Sequence, residues 1–294
     1  MVYDAARGSV LLFGGDRATA PRLLGDTWTW DGRSWTERHA GRSPSPRTRM
    51  AIAYDEVHQV VVLFGGTDRF LTVPGSANQG DTWIWDGNAW TLWQPAAAPN
   101  LAEAVMTFDE TSRNVVLFGS RAQGGAPETW TWDGGSWKQA HPAFSPPGRL
   151  GASMAYDPVA HRVVVFGGFN QNQGNLNDTW VWDGATWNQA HPQNAPPARQ
   201  NAVLADSSNG LVLFGGQGVQ GPTFGDTWKW TGADWLLQQP ATVPCPRVGA
   251  SVANDTTRSL LVMFGGVVSP PGAPAAFADD LWTWNGADWK AAAS

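Results

Sequence analysis

The feature that most constrains this chain is a tryptophan-rich motif that recurs six times along its 294 residues. Each copy contains Phe-Gly-Gly, or Phe-Gly-Ser in the third copy, and continues with an acid, Thr or Leu, and Trp. A second Trp follows two residues later and a third Trp five residues beyond that. These three columns contain every Trp except Trp93. A unit of about 50 residues repeated at a fixed period is typical of an architecture built from identical supersecondary units.

Each copy has the pattern of four short strands. The second strand is a continuous apolar run such as residues 60–64, which predicts burial on both faces. The third strand alternates, as in residues 178–182, so that both Trp side chains lie on one face. An Asp-Gly pair such as Asp183-Gly184 predicts a hairpin turn into the fourth strand. No segment has a helical period, and the sequence therefore predicts an all-β fold.

The Gly-Gly after an apolar strand, followed by Trp-Asp and a further Trp, resembles the kelch motif over the whole chain. The resemblance implies a six-bladed β-propeller of four-stranded antiparallel blades, each contiguous in sequence, with non-covalent closure between blades 6 and 1. Radial closure suits such units because it leaves only short, protected sheet edges. One departure is that Trp stands where kelch repeats commonly carry Tyr before the Asp. We expect a single domain, 1–294, with blades at approximately 1–46, 47–98, 99–147, 148–197, 198–245 and 246–294.

Composition excludes several classes of function. The net charge of −6 does not favour nucleic-acid binding, and one Cys excludes an internal disulfide framework. The five His lie at no short metal-ligand spacing, so we expect no metal and no cofactor. No apolar run approaches the roughly 18 residues of a membrane helix, and we expect a monomer without membrane insertion. No signal peptide is visible, but the chain begins within a first strand, so an exported origin and an unknown compartment both stay open.

Two sets of repeated residues have a structural and a functional interpretation. The column Trp residues either fill the wedges between blades or stack on a ligand, and their recurrence favours packing. Trp93 is the better candidate for an exposed aromatic side chain. A ring of acids precedes the third strands, and it either binds a cation or accepts backbone N–H bonds, which we favour. Its members are Asp26, Asp81, Glu128, Asp178, Asp226 and Asp280.

The candidate binding residues lie in the unequal loops between second and third strands and in the connectors between blades. The connectors contain Arg47, Arg49, Arg149, Arg199 and Arg247, while the third unit has Leu101 and Glu103 instead. The loops contain Arg17, Arg69 and Arg121, close to Asp16 and Asp68. Arginines in comparable places line the channel mouth of a kelch adaptor domain that captures an acidic degron peptide, so the resemblance implies carboxylate binding here. The alternative is that connector arginines bond carbonyls between blades and loop arginines are solvated.

The sequence therefore predicts a non-catalytic scaffold that binds an acidic peptide, protein or glycan at this loop face. Its three Tyr all lie in the repeated first-strand position and Cys245 lies in a connector, so it does not match the Tyr–Cys copper centre of galactose-oxidase-like members. It also lacks the iron motif of nitrile-specifier relatives. The second hypothesis is an enzyme acting on a small anionic carbohydrate, similar to sialate mutarotases, with Glu103 or Asp68 as acid–base. It requires a deep polar pocket at the channel mouth. A third hypothesis is a module of a larger assembly or an engineered propeller scaffold.

Overall fold

A computed structural model describes residues 1–20, 22–68, 80–121, 125–219, 221–270 and 272–292. These residues form β-strands and connecting turns without a helix, as the sequence predicts. Within the same ranges, no helix long and apolar enough to cross a membrane is found.

Six four-stranded antiparallel sheets follow one another along the chain, and each corresponds to one sequence repeat. The first sheet contains β1 (Val2–Asp4), β2 (Ser9–Asp16), β3 (Leu23–Trp30) and β4 (Trp35–Arg38). The second contains β5 (Ala51–Asp55), β6 (Val60–Phe64), β7 (Thr82–Trp85) and β8 (Trp90–Trp93). The third contains β9 (Ala102–Asp109), β10 (Asn114–Ser120), β11 (Pro127–Trp132) and β12 (Trp137–Ala140). The fourth contains β13 (Ser153–Asp157), β14 (Arg162–Asn170), β15 (Gly174–Trp182) and β16 (Trp187–Ala190). The fifth contains β17 (Val203–Ser207), β18 (Gly210–Phe214), β19 (Thr227–Trp230) and β20 (Trp235–Gln238).

The last repeat supplies a sixth four-stranded sheet and a small additional one. Its strands are β21 (Arg247–Val248), β22 (Ser251–Asp255), β23 (Leu260–Phe264), β24 (Val267–Val268), β25 (Ala276–Phe277), β26 (Leu281–Trp284) and β27 (Trp289–Ala292). The sixth sheet has the order β22-β23-β26-β27, and the additional three-stranded sheet has the order β21-β24-β25.

The additional sheet enlarges a contact that other repeats make with one residue pair. In the second, fourth and fifth repeats, a connector residue forms an isolated antiparallel bridge with a residue just after the Gly-Gly pair, and these bridges are Thr48–Thr67, Leu150–Phe169 and Gln200–Gln217. The pairing of β21 with β24 occupies the same place in the last repeat. We therefore interpret each four-stranded sheet as one blade of a propeller and the three-stranded sheet as an extension of the sixth.

Each sheet is a meander whose strands are paired in chain order. The second strands are the most buried, because both of their faces pack against neighbouring sheets, and Val61, Val116 and Val164 are 0% exposed. Both glycines after Phe64 have positive φ (70° and 97°), which ends the strand with a conformation that side chains rarely adopt. The meander places two kinds of loop on opposite sides of the sheets. We call the side with the connectors and the loops between second and third strands the connector face, and the opposite side the turn face.

The sheets form a closed ring. Each first strand contacts the first strands of the two neighbouring sheets, and this includes β1 and β22 at the two ends of the chain. A buried apolar cluster joins Tyr3 and Val10 of the first sheet to Ala253 and Val262 of the sixth. The Trp35 ring also lies 5.5 Å from the Phe264 ring across this junction. The closure is therefore non-covalent, as predicted, although β1 has only three residues.

The third Trp column connects neighbouring sheets by a repeated buried hydrogen bond. In five of the repeats, the indole N–H of this Trp donates to the hydroxyl of a Thr in the preceding sheet, and this Thr directly follows the acid of the ring described above. These pairs are Trp90–Thr27, Trp137–Thr82, Trp187–Thr129, Trp235–Thr179 and Trp289–Thr227, each at 2.9 Å. At the closing junction, Leu281 stands in the Thr position, and the buried Nε1 of Trp35 has no acceptor among the residues that the structure describes. The closing junction therefore lacks a hydrogen bond that the other five junctions have.

We expect Thr227→Val to destabilise the fold by about 1–3 kcal/mol, because valine keeps the shape of threonine but leaves the buried Trp289 N–H unsatisfied. The measurement is urea denaturation followed by tryptophan fluorescence. Thr283→Val is the matched control, since its half-buried hydroxyl only approaches a carbonyl of its own sheet at 3.4 Å. Its effect is expected to stay within about 0.5 kcal/mol. Equal destabilisation by the two variants would contradict this role for the Trp–Thr bond.

Candidate functional site

Four of the connector arginines are buried inside the ring. The side chains of Arg47, Arg149, Arg199 and Arg247 are 1% exposed or less. In each case the guanidinium binds both oxygens of the acid before the third strand, as Arg199 does with Asp226 at 2.6 and 2.8 Å. It also donates to the carbonyl of the first glycine after the second strand, here Gly215. The equivalent carboxylates are Asp81, Asp178 and Asp280.

These arginines join two neighbouring sheets. The backbone N–H of Arg199 donates to the carbonyl of Leu176, and its carbonyl accepts from Gly168, both in the fourth sheet. Its side chain reaches the fifth sheet instead. Arg47 and Arg247 make the same pair of connections between their own neighbouring sheets. Burial places all four side chains in the frame of the ring and away from solvent, which revises their expected role as ligand contacts.

The acid ring has different partners from those expected. All six carboxylates accept from the indole N–H two residues later, as Asp81 does from Trp83 at 2.6 Å, and every one except Asp26 is also shown bonded to a guanidinium. Burial by itself raises the pKa of Asp81, but the hydrogen bonds and charge of Arg47 and Trp83 outweigh it and the pKa is lowered. The pKa values of Asp226 and Asp280 are lowered in the same way by Arg199 and Arg247, respectively. The described residues contain no cluster of His, Cys, Asp and Glu that suits a metal ion.

The third repeat replaces this connection with a local one. Leu101 takes the place of the connector arginine and is 2% exposed. The acid is Glu128, and it accepts a hydrogen bond at 2.9 Å from Nε of Arg121, which lies on its own loop. Most of the Arg121 side chain is exposed, at 68%. In four other repeats a buried arginine of the connector bonds the acid, whereas in the third repeat a largely exposed arginine of the loop between second and third strands bonds it.

A residue with left-handed backbone lies two residues after each of the four buried connector arginines and after Leu101. The φ values are 58° at Arg49, 45° at Glu103, 61° at Gly151, 53° at Asn201 and 67° at Gly249. Glycine and asparagine tolerate this conformation, whereas Arg and Glu are strained in it by about 1 kcal/mol or more. The backbones of these residues also bond to one another around the ring, from Asn201 N–H to Gly151 and from Gly249 N–H to Asn201. They lie two residues before the first strands, or inside the start of β9 in the case of Glu103, and we call this part of the connector face the mouth of the central axis.

The two strained residues form an ion pair. The Arg49 guanidinium donates to the Glu103 carboxylate, and the two side chains are 38% and 11% exposed. Asp16, at the end of β2, is near enough for the Arg49 charge to act on it. Burial raises the pKa of Asp16, and Arg49 partly opposes the shift. One partly exposed guanidinium therefore pairs with Glu103 and lies within electrostatic range of Asp16 at the mouth.

The remaining predicted residues are placed around this pair. Arg17 and Asp68 are exposed on the same face, whereas Arg69 lies outside the described residues. Trp93 is 39% exposed, but its indole N–H donates to the Gly135 carbonyl of the next sheet and its ring packs against Trp132. This arrangement favours a packing role for Trp93.

Sequence reasoning missed Asp16 as a neighbour of Arg49, because the two residues belong to different repeats and only the packing of the first sheet against the second brings them near each other. It also missed that Arg121 substitutes for a connector arginine. The signal was present, since Leu101 and Glu128 depart from the repeat in the same unit.

The chemistry available at the mouth is charge recognition. A guanidinium presents parallel N–H donors that match a carboxylate, and the first strands beneath it are packed with apolar side chains such as Ala104, Met106 and Met154. A cavity of about 400 Å³ lies elsewhere, between strands of the sixth sheet that include Thr283 and Lys290. The mouth therefore suits binding of a charged segment.

Comparison with protein families gives one match. A family model described as the KLHDC2/KLHL20/DRC7 Kelch-repeats domain matches residues 106–290, from β9 to β27. The matched segment is more than half of the chain. None of the curated proteins compared with the chain matches it.

We expect the effect of Asp226→Asn on stability to depend on pH. The folded pKa of Asp226 is below its unfolded value of about 3.9, so its stabilisation is present above that pH and is lost as pH falls through the folded pKa. The variant should therefore be less stable by about 1–3 kcal/mol at pH 6, and the difference should shrink toward pH 2. Urea denaturation at a series of pH values measures this. Asp279→Asn, at an exposed position, is the control, and a pH-independent difference for Asp226→Asn would contradict the arginine pairing.

Proposed function

Because the chain belongs to the kelch-repeat family, whose domains commonly serve as protein-interaction scaffolds, we propose that it is a non-catalytic domain that binds an acidic peptide or protein segment at the connector face. The observation that supports this most is the strained ion pair at the mouth. Arg49 and Glu103 occupy positions where other repeats have Gly or Asn, and a strained conformation at a surface site is a common sign of function.

Binding proceeds by exchange of carboxylates. In the unbound domain, Glu103 satisfies part of the Arg49 guanidinium, which keeps the charge paired at the mouth. A carboxylate of the ligand replaces Glu103 on Arg49, because a fork of N–H donors binds any well-oriented carboxylate. Glu103 therefore competes with the ligand for Arg49. This competition raises the selectivity of the domain, since a weakly binding anion does not displace Glu103 from Arg49.

The loop arginines extend this contact. Arg121 uses its Nε on Glu128, and most of its side chain is exposed. Arg17 lies on the loop that follows Asp16, on the same face. Two further guanidinium groups beside the mouth suit a segment with several carboxylates better than a single small anion. The four buried arginines support this face indirectly, by fixing each connector to two sheets.

We expect Arg49→Ala to weaken binding of an acidic peptide about tenfold or more, a loss that corresponds to about 1.4 kcal/mol. The probe is the best-retained sequence from an immobilised library of acidic dodecapeptides, and affinity is measured by fluorescence anisotropy. Arg121→Ala should weaken binding less, and Glu103→Gln should strengthen it because the competing carboxylate is removed. Retention of neutral or sulfated glycans in place of acidic peptides would show a different ligand class.

A glycine pair separates binding from stability. Arg49→Gly and Arg113→Gly both remove one positive charge from a left-handed position, but Arg113 lies in a β9–β10 turn on the opposite face. Both variants should keep the stability of the parent or gain up to about 1 kcal/mol, because glycine relieves the backbone strain. Only Arg49→Gly should lose peptide binding. Equal loss in both variants would mean that net charge, and not the mouth, controls binding.

A further inference from the structure

A second interaction between sheets lies on the turn face, and it differs from one repeat to the next. In three repeats, an Asp at the end of the first strand binds a basic side chain three residues later. Asp4 binds Arg7, Asp55 binds His58 and Asp255 binds Arg258. Each basic side chain then packs over a glycine in the next sheet's turn between third and fourth strands. A Cβ on Gly87, Gly134 or Gly32 would lie within 2.2 Å of Arg7, His58 or Arg258, respectively.

The two arginines also donate to backbone carbonyls beneath them. Arg7 donates to the carbonyl of Asp86, next to Gly87, and to that of Gln59 at 2.5 Å. Arg258 donates to the carbonyl of Asp31, next to Gly32. The turn face therefore has a recurring guanidinium cradle, which consists of a buried carboxylate, a glycine surface and a turn carbonyl from the next sheet.

The fourth repeat has the cradle without the basic residue. Ala160 stands in the position of Arg7 and Arg258, and it is exposed. Asp157 is 0% exposed, and its Oδ1 accepts the N–H groups of Val159 and Ala160. Its Oδ2 is buried without a hydrogen-bond partner among the described residues, and a Cβ on Gly232 would lie 3.8 Å from it. The carbonyl equivalent to those of Asp86 and Asp31 belongs to Thr231.

A buried carboxylate oxygen without a donor is costly, and the other repeats avoid this cost. Asp109 of the third repeat has no basic partner, but its Oδ2 accepts from Ser112 at 2.7 Å. An unsatisfied buried acceptor loses its solvation without compensation, and a charged acceptor loses more than a neutral one. Among the described residues, Asp157 is the carboxylate left in this state.

The surrounding charge favours a cation. The turn face carries more than half of the 25 acidic residues of the chain. On this face Glu56, Glu110 and Asp206 lie close enough to act on one another. Burial is the main cause that raises the pKa of Glu56, and repulsion from the negative charges of Glu110 and Asp206 raises it further. The turn face also carries basic side chains such as Arg113 and Arg162, but its acidic residues outnumber them, so a positively charged group is attracted to this face.

We propose that the cradle of Asp157, Ala160 and Gly232 is a binding site for a guanidinium group, supplied by an arginine side chain of a partner protein. Arg7 and Arg258 show within the same chain how such a group is held: it bonds to the carboxylate, lies over the glycine and donates to the turn carbonyl. This site is independent of the proposed acidic-ligand site, because the two lie on opposite faces and select opposite charges.

The test is NMR titration of the full chain with ethylguanidinium chloride at constant ionic strength. We expect saturable amide shifts at Ala160 and Gly232, with affinity on the order of millimolar and reduced about tenfold or more by Asp157→Asn. Ala160→Arg should abolish the shifts, because an internal guanidinium then occupies the cradle. It should also raise the melting temperature by roughly 2–4 °C, as a new buried ion pair forms. Arg7→Ala is the matched positive control, in which the same probe should shift the amide of Gly87.

The source of the guanidinium is tested separately with a blocked peptide, acetyl-Gly-Arg-Gly-amide, and with free L-arginine. Binding of the blocked peptide at least as tight as that of the free amino acid supports a partner's arginine side chain. Binding of free arginine alone would overturn that assignment. The absence of saturable shifts at Gly232 in the parent chain, or shifts that persist in Ala160→Arg, would overturn the site itself.

Discussion

The structure depends on side chains that reach from one sheet to the next. A four-stranded sheet of this size cannot bury its own apolar faces, so its stability comes from contact with two neighbours. Four connector arginines (Arg47, Arg149, Arg199 and Arg247) fix that contact. Each buried guanidinium bonds both oxygens of an acid in the following sheet, as Arg199 does, while the backbone of Arg199 pairs with the preceding sheet. The Trp–Thr hydrogen bond does the same deeper in the junction. Together they hold neighbouring sheets against one another within the chain, whereas the junction between the sixth and first sheets is held by apolar packing.

The repeats that depart from this rule are the informative ones. The third repeat takes its guanidinium from a loop, which brings Arg121 to the connector face. The closing junction has Leu281 where a threonine would satisfy Trp35. The fourth repeat has Ala160 where a basic residue would satisfy Asp157. A repeated frame makes each exception visible, because the other copies show what the position normally does.

The two faces have opposite chemistry for a simple reason. The connector face carries the residues that follow arginine-containing connectors. The turn face carries Asp-Gly hairpin turns and the Asp that ends five of the six first strands. Asp favours these turns because its side chain accepts the N–H groups two and three residues later, as Asp31 does from Arg33 and Ser34. The Asp residues that the turns favour thus give the turn face most of its negative charge. We expect a positively charged partner to bind the turn face and a negatively charged partner to bind the connector face.

The sequence by itself determined the class of fold, because strand alternation, the Gly-Gly breaks and the tryptophan columns are local patterns that need no knowledge of distant contacts. It also predicted the residues at the loop face. Only the tertiary structure showed that Arg47 is buried and Arg49 is partly exposed, although they are two residues apart in sequence. The reason is that burial depends on how the neighbouring sheets pack around each side chain. The same holds for Asp157: the sequence shows Ala160 in place of a basic residue, but only the structure shows that Asp157 is buried and that its Oδ2 has no donor among the described residues. Charge pairing between neighbouring repeats depends on how the sheets pack side by side, and a linear pattern does not contain that information.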